Sequence, residues 1–319
     1  MALHKPTAGG CRPENLTAPE QPRSAADFGG AFALGIVLNA TFAVAEAIVG
    51  LAADSLALVA DAGHNLGDVA GLVLAWGAAR LARWQPTDRH TYGFRRATIL
   101  AALANAFLLL VAIGAIGREA IGRLLHPVPV AASAVIWMAT AGIGVNAATA
   151  LLFAAGRRTD LNVRGAFLHM VADAGVSLAV VAAGILVRVT GMHALDPLVS
   201  LAVLALILTG TWGLLRESFA LAMDAVPEGI EATAVEALLA RLPAVQSVHH
   251  LHIWGLGTTD TALTVHLVVS RAEWSDDLLA RVRDELQQHF GIGHATIQLE
   301  SPEAGTCLTR RCTLTAASR

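Results

Sequence analysis

The stretch ADAGHNLGD, Ala60 to Asp68, places His64 and Asp68 four residues apart inside a long apolar run. A later apolar run repeats the device at His169 and Asp173. An ionisable residue in hydrocarbon costs on the order of 3 kcal/mol or more, so two such pairs in separate segments call for a common purpose. Residues four apart share one face of a helix, and each pair therefore presents one imidazole and one carboxylate on the same side. Two nitrogens and two oxygens form a tetrahedral donor set for Zn²⁺. Mg²⁺ and Ca²⁺ prefer oxygen shells, and Cu⁺ prefers sulfur. The competing reading is two independent His and Asp pairs, each satisfied within its own helix.

The runs that carry these pairs decide the fold class. Of 319 residues, 55% are hydrophobic and 15% charged, with a net charge of −3. That composition is a membrane protein's, and it offers no basic surface for nucleic acid. Six runs have the roughly 20 residues a bilayer crossing takes: Ala31–Ala53, Leu56–Ala82, Ala97–Gly117, Ala131–Ala155, Leu161–Val187 and Leu195–Leu215. Arg83, Arg89, Arg95, Arg96, Arg157, Arg158 and Arg164 flank one side of these spans, against Arg118, Arg123 and Arg188 on the other. The asymmetry puts both termini in the cytoplasm. The first 27 residues have no apolar core of signal-peptide type, so the first span is expected to serve as its own targeting signal, in a bacterial inner or plasma membrane.

Beyond the spans, Glu231–Leu242 reads as a helix, Val245–Trp254 and Thr261–Val269 as strands, Asp276–Phe290 as a helix capped by Ser275, and His294–Glu300 as a strand. The expected architecture is an α-helical membrane protein with six transmembrane helices and a cytosolic α+β domain of order αββαβ. Its parts are a tail (1–29), a membrane domain (30–218), a cytosolic domain (219–302) and a cysteine-bearing tail (303–319).

Depth lets the two pairs meet. In antiparallel spans, each pair lies 8 and 12 residues past its span's start. That is about 12 to 18 Å into a core about 30 Å thick. A metal stop midway across a membrane serves transport. Ligands that must be deprotonated to bind metal release protons on binding, which is the chemistry of antiport with H⁺ as counter-ion. Asp61 shares nearly the same face and lies toward the outside, as a pathway candidate. Glu46, Asn39, Asn105 and Asn146 are left without a role.

In the soluble part, His249, His266, His294 and Glu300 lie on or beside three strands and are metal-ligand types, whereas strand alternation points His250 and His252 away from His249. Cys307 and Cys312, with Cys11 from the other terminus, are weaker candidates for a soft ion.

Six stretches, SLALVADAGHNLGD (55–68), HTYGFRRATILAALANA (90–106), LNVRGAFLHMVADAGVS (161–177), DPLVSLAV (196–203), VHHLHIW (248–254) and IGHATIQLE (292–300), resemble the cation diffusion facilitator family of metal transporters, in its zinc-exporting branch. The resemblance implies a homodimer in the lipid bilayer, each subunit with six helices and a tetrahedral metal site between helices two and five. It also implies a metallochaperone-like cytosolic domain that dimerises and binds regulatory Zn²⁺ at His249, His266, His294 and Glu300. It places the helix-two H-x3-D pair on His64 and Asp68 and the helix-five pair on His169 and Asp173, with His64 favouring zinc. Some members end in a cysteine pair like Cys307 and Cys312. Two departures stand out: Phe94 replaces the second histidine of a loop site at His90, and the loop at 156–160 lacks a histidine-rich insert.

The expectation is therefore a Zn²⁺/H⁺ antiporter and not an enzyme, with Cd²⁺, Co²⁺, Ni²⁺, Fe²⁺ or Mn²⁺ as competing cargoes. An intramembrane metallohydrolase would need an open metal position and a motif such as H-E-x-x-H, which the sequence lacks. A membrane metal sensor is the third class, distinguished by metal-dependent change without flux.

Overall fold

The structure, a computed structural model, describes residues 29–154 and 161–302. Six long helices come first: α1 (Gly29–Ala52), α2 (Leu56–Ala82), α3 (Ala97–Leu125), α4 (Ala132–Phe153), α5 (Leu161–Thr190) and α6 (Leu195–Ala222). Five of them, all but α2, are long and apolar enough to cross a membrane by length and composition. Helix α2 has the length, but Asp61, His64, Asn65 and Asp68 dilute its hydropathy. It packs against α1, α3 and α6, while α4 packs on α5 and α3 on α6. Helices α3 and α6 run past the apolar runs, to Leu125 and Ala222. An i,i+4 ion pair, Glu119 with Arg123 at 3.1 Å, carries α3 through its polar end.

The bundle is apolar on its outside as well as within. Trp76, Trp137, Leu151 and Val189 are all well exposed, as lipid-facing positions are. Its interior is built from small residues, with Ala53, Ala57 and Ala139 packed around Leu58, Val135 and Val180. Close approach has the same origin at α3. A Cβ at Gly67 would collide with Leu109, and one at Gly71 would stand 2.7 Å from Asn105 Nδ2.

The start of α2 is held by a residue 140 positions away. Ser55 accepts a hydrogen bond from the Leu58 N–H at 3.3 Å and donates its own hydroxyl to Asp196 Oδ1 at 2.5 Å, while Leu56 N donates to Asp196 Oδ2 at 2.7 Å. Three of the buried groups at this helix end thus find partners, and a carboxylate sits where the helix dipole favours one.

The C-terminal domain follows as α7 (Ala232–Ala240), β1 (Val245–Gly255), β2 (Thr261–Val269), α8 (Asp276–Phe290) and β3 (Ile292–Glu300). The expected order αββαβ is found, with a 3₁₀ turn at Arg271–Glu273 added before α8. Ser275 caps α8 by accepting from Leu278 N at 3.2 Å, and Gly291 ends it in the left-handed conformation with φ 67°. The sheet order is β1-β2-β3, antiparallel between β1 and β2 and parallel between β2 and β3. Leu263, Val265, Leu267 and Val269 of β2 pack with Val235, Leu239, Val282 and Leu286 of the two helices, so both helices cover one sheet face.

The two parts meet at the start of α3. Arg96 pairs with Asp224 at 2.5 Å, Arg95 with Asp260 at 3.6 Å, and Thr258 N donates to Thr98 Oγ1 at 3.0 Å.

Candidate metal sites

Helices α2 and α5 touch sparsely along their lengths, yet the structure brings His64, Asp68, His169 and Asp173 together. The four close a ring in which imidazole and carboxylate alternate. His64 Nε2 lies 3.8 Å from Asp68 Oδ2 and 3.8 Å from Asp173 Oδ1, while His169 Nε2 lies 3.0 Å from Asp68 Oδ2 and 3.5 Å from Asp173 Oδ2. The two rings stand edge to face at 5.9 Å. The i,i+4 spacing puts each pair on one face, and the antiparallel crossing sets the two faces opposite one another.

The donor set fits a divalent metal. Asp68 Oδ2 and Asp173 Oδ2 are buried without a well-formed hydrogen bond, a costly arrangement that a cation would relieve. Access is one-sided. The Asp68 and His169 side chains are 36% and 43% exposed against 4% for Asp173. A cavity of about 680 Å³ begins at Asp68 and His169 and runs past Gly71, Asn105 and Ala101 to Thr98 and Thr258, at the joint with the C-terminal domain.

Asp61 is buried at 1% exposure and accepts from the Ser177 hydroxyl at 3.2 Å. It lies away from the cavity. Of the polar residues left without a role, Asn39 donates to Gly35 O at 3.0 Å and faces Thr149 and Met170. Glu46 is fully buried, a feature a lone acid in an apolar run does not reveal.

On the open face of the C-terminal sheet, His249 and His266 are direct cross-strand partners and Glu300 reaches both. Glu300 Oε2 is 3.0 Å from His249 Nε2, and Oε1 is 2.8 Å from His266 Nδ1. Their ligand atoms all lie within 4.8 Å of one another, a three-ligand set tight enough for one metal ion.

One expectation about this domain needs correction, that for His250. Within one chain His294 stands apart from the trio, six residues of strand, about 20 Å, from Glu300. Its ring instead meets Tyr92 of the α2–α3 loop at 5.4 Å. His250 does not point away from His249. A register shift between His249 and His252, with His250 at φ 51°, breaks the alternation, and its ring lies 5.5 Å from His249 and 4.9 Å from His266. His252 stays apart from the trio, its ring 6.3 Å from His250.

His90 stacks on Phe94 at 4.7 Å. Cys11, Cys307 and Cys312 lie outside the described residues.

Both parts of the chain resemble known proteins. Residues 32–221 match the cation efflux transmembrane domain, and residues 227–302 match the cytoplasmic domain of cation efflux proteins. The chain is 39% identical to the zinc transporter ZitB of Pectobacterium atrosepticum over 83% of each chain. It is 33% identical to the metal cation efflux system protein CzcD of Cupriavidus metallidurans, over 84% of this chain and 85% of that one. A Bacillus subtilis protein named cadmium, cobalt and zinc/H(+)-K(+) antiporter is 33% identical over 84% of this chain and 88% of its own. Two domains matched in order, with relatives aligned over most of their length, make this chain an integral membrane transporter of the cation efflux family, the cation diffusion facilitators, and not an enzyme.

Proposed function

We propose that this protein exports Zn²⁺ from the cytoplasm in exchange for protons, with His64, Asp68, His169 and Asp173 holding the cargo midway. The observation that carries the reading is the closed ring of two imidazoles and two carboxylates, contributed by helices that otherwise barely touch. Two nitrogens and two oxygens suit zinc. The cavity from Asp68 and His169 to Thr258 supports entry from the side of the C-terminal domain. That side is the cytoplasm of a bacterial inner membrane in this reading, with both termini inside. The relatives named as zinc transporters, and the one named as a zinc antiporter, support the cargo and the exchange.

Proton coupling follows from the donor chemistry. A cation entering the ring requires ionised carboxylates and imidazole nitrogens free of protons, so entry expels protons and proton return favours release. The trio His249, His266 and Glu300 binds a regulatory zinc on the open sheet face, through which two copies pair as a homodimer. Flux into proteoliposomes under an imposed proton gradient, run as a competition series of Zn²⁺, Cd²⁺, Co²⁺, Ni²⁺, Fe²⁺ and Mn²⁺, tests the proposal. Zinc is expected to move fastest and to accelerate with the gradient. Movement of another ion in preference to zinc would reassign the cargo. Metal-dependent change in the C-terminal domain without any flux would make the protein a sensor.

A further inference from the structure

We infer that Glu46 and Asp61 form a proton-binding site separate from the metal ligands, and that they share one of the protons exchanged for the divalent cation. The inference rests on the antiport reading and adds to it the place where that proton is held.

Glu46 lies on α1 at 0% exposure, and neither of its carboxylate oxygens has a well-formed hydrogen bond. The polar groups facing it are the Asp61 carboxyl and the Asn65 amide, both on α2. Asp61 is 1% exposed and Asn65 7%, so the group is closed to solvent. Two carboxylates facing one another in so dry a place repel strongly, and an isolated buried charge is expensive. One positive charge is needed between them. Among the described residues, no Lys or Arg acts on the pair. Asp173 acts on both, and His64 acts on Asp61. Helix α4, the other element packed on α1, buries the uncharged Asn146 and Thr149. A single shared proton supplies what is missing.

The position couples this proton to the cargo. Asp61 accepts from Ser177, and Ser177 follows the ligand Asp173 by one helical turn on α5. The pair is buried on the far side of the ring from the cavity that opens toward the C-terminal domain. An empty ring leaves Asp68 and Asp173 as uncompensated negative charge near the pair, which holds the proton in place. A divalent cation in the ring reverses the field and expels that proton. When the cation leaves toward the far face, the pair takes up a proton again, and the pair has exchanged one proton in each cycle.

The test uses full-length protein carrying His249→Ala and His266→Ala, so that the trio on the sheet takes up no zinc, with and without Glu46→Gln, a substitution that keeps size and cannot titrate. The parent should release about one proton more per zinc bound than the Glu46→Gln protein. Zinc flux in proteoliposomes should accelerate with an imposed proton gradient in the parent and accelerate less in Glu46→Gln. A parent flux indifferent to the gradient would defeat the antiport reading itself. A parent that responds, beside a Glu46→Gln protein with the same response and the same proton count, would overturn the shared-proton site alone. Should Glu46→Gln fail to fold, infrared difference spectra of the parent decide. Zinc addition is expected to remove the C=O band of a protonated carboxyl group, and a spectrum without that change overturns the inference.

Discussion

Asp196 should be the residue on which the position of α2 depends. Its carboxylate accepts from Ser55 Oγ and from Leu56 N, and Ser55, Leu56 and Asp196 are all buried. Asp196→Ala leaves two buried donors without partners, each worth about 1 to 3 kcal/mol. The sum, on the order of 4 kcal/mol, corresponds to a fall in melting temperature of roughly 10 °C for a chain of this size. Asp196→Asn keeps one acceptor oxygen and loses the charge, so its cost should be about half. Ser55→Ala removes one donor and the cap on Leu58, for about 1 kcal/mol. Combined with Asp196→Ala it should cost less than the sum, because the two share a hydrogen bond. Melting in lipid nanodiscs, followed by tryptophan fluorescence, measures all four proteins. Helix α2 carries His64 and Asp68, so zinc affinity should fall in the same order as stability. An Asp196→Ala protein that melts with the wild type, or strict additivity with Ser55→Ala, would refute the cap as the anchor of α2.

Three further outcomes follow from the packing and the second site. Gly67→Ala forces a methyl group into Leu109, an overpacking cost of about 1 to 3 kcal/mol, visible as a lower melting temperature; an unchanged one would mean that α2 and α3 separate freely. Glu300→Ala removes the group that touches both His249 and His266, so zinc titration of full-length protein should lose one equivalent while the ring keeps its own; an undiminished count would exclude the trio as a site. Arg96→Ala breaks an exposed ion pair with Asp224, and its effect on melting should stay under about 1 kcal/mol, a larger drop meaning that the joint between the domains carries the fold.

The parts of this protein legible in its sequence are those governed by local periodicity. Ser275 marks a helix start because a hydroxyl ahead of a helical run satisfies N-terminal donors, and it caps as expected. The pairs at His64 and Asp68 and at His169 and Asp173 were readable because i,i+4 spacing needs no knowledge of the rest of the fold. What escaped depends on contacts across the chain or on local irregularity. The acceptor for Ser55 lies on α6, and nothing near Asp196 in sequence points back to it. Glu46 looks like any lone polar residue in a span until α2 packs Asp61 against it. His250 joins the cytosolic histidines only because a bulge interrupts strict alternation.

The central claim is that the cargo passes through the ring, and Asp173 is its most buried ligand. The most direct measurement is zinc flux into proteoliposomes by Asp173→Ala protein, shown to be folded by its melting curve, under the proton gradient that drives the wild type. Flux should stop while zinc still binds at His249, His266 and Glu300. Transport of zinc by Asp173→Ala at the wild-type rate would contradict it.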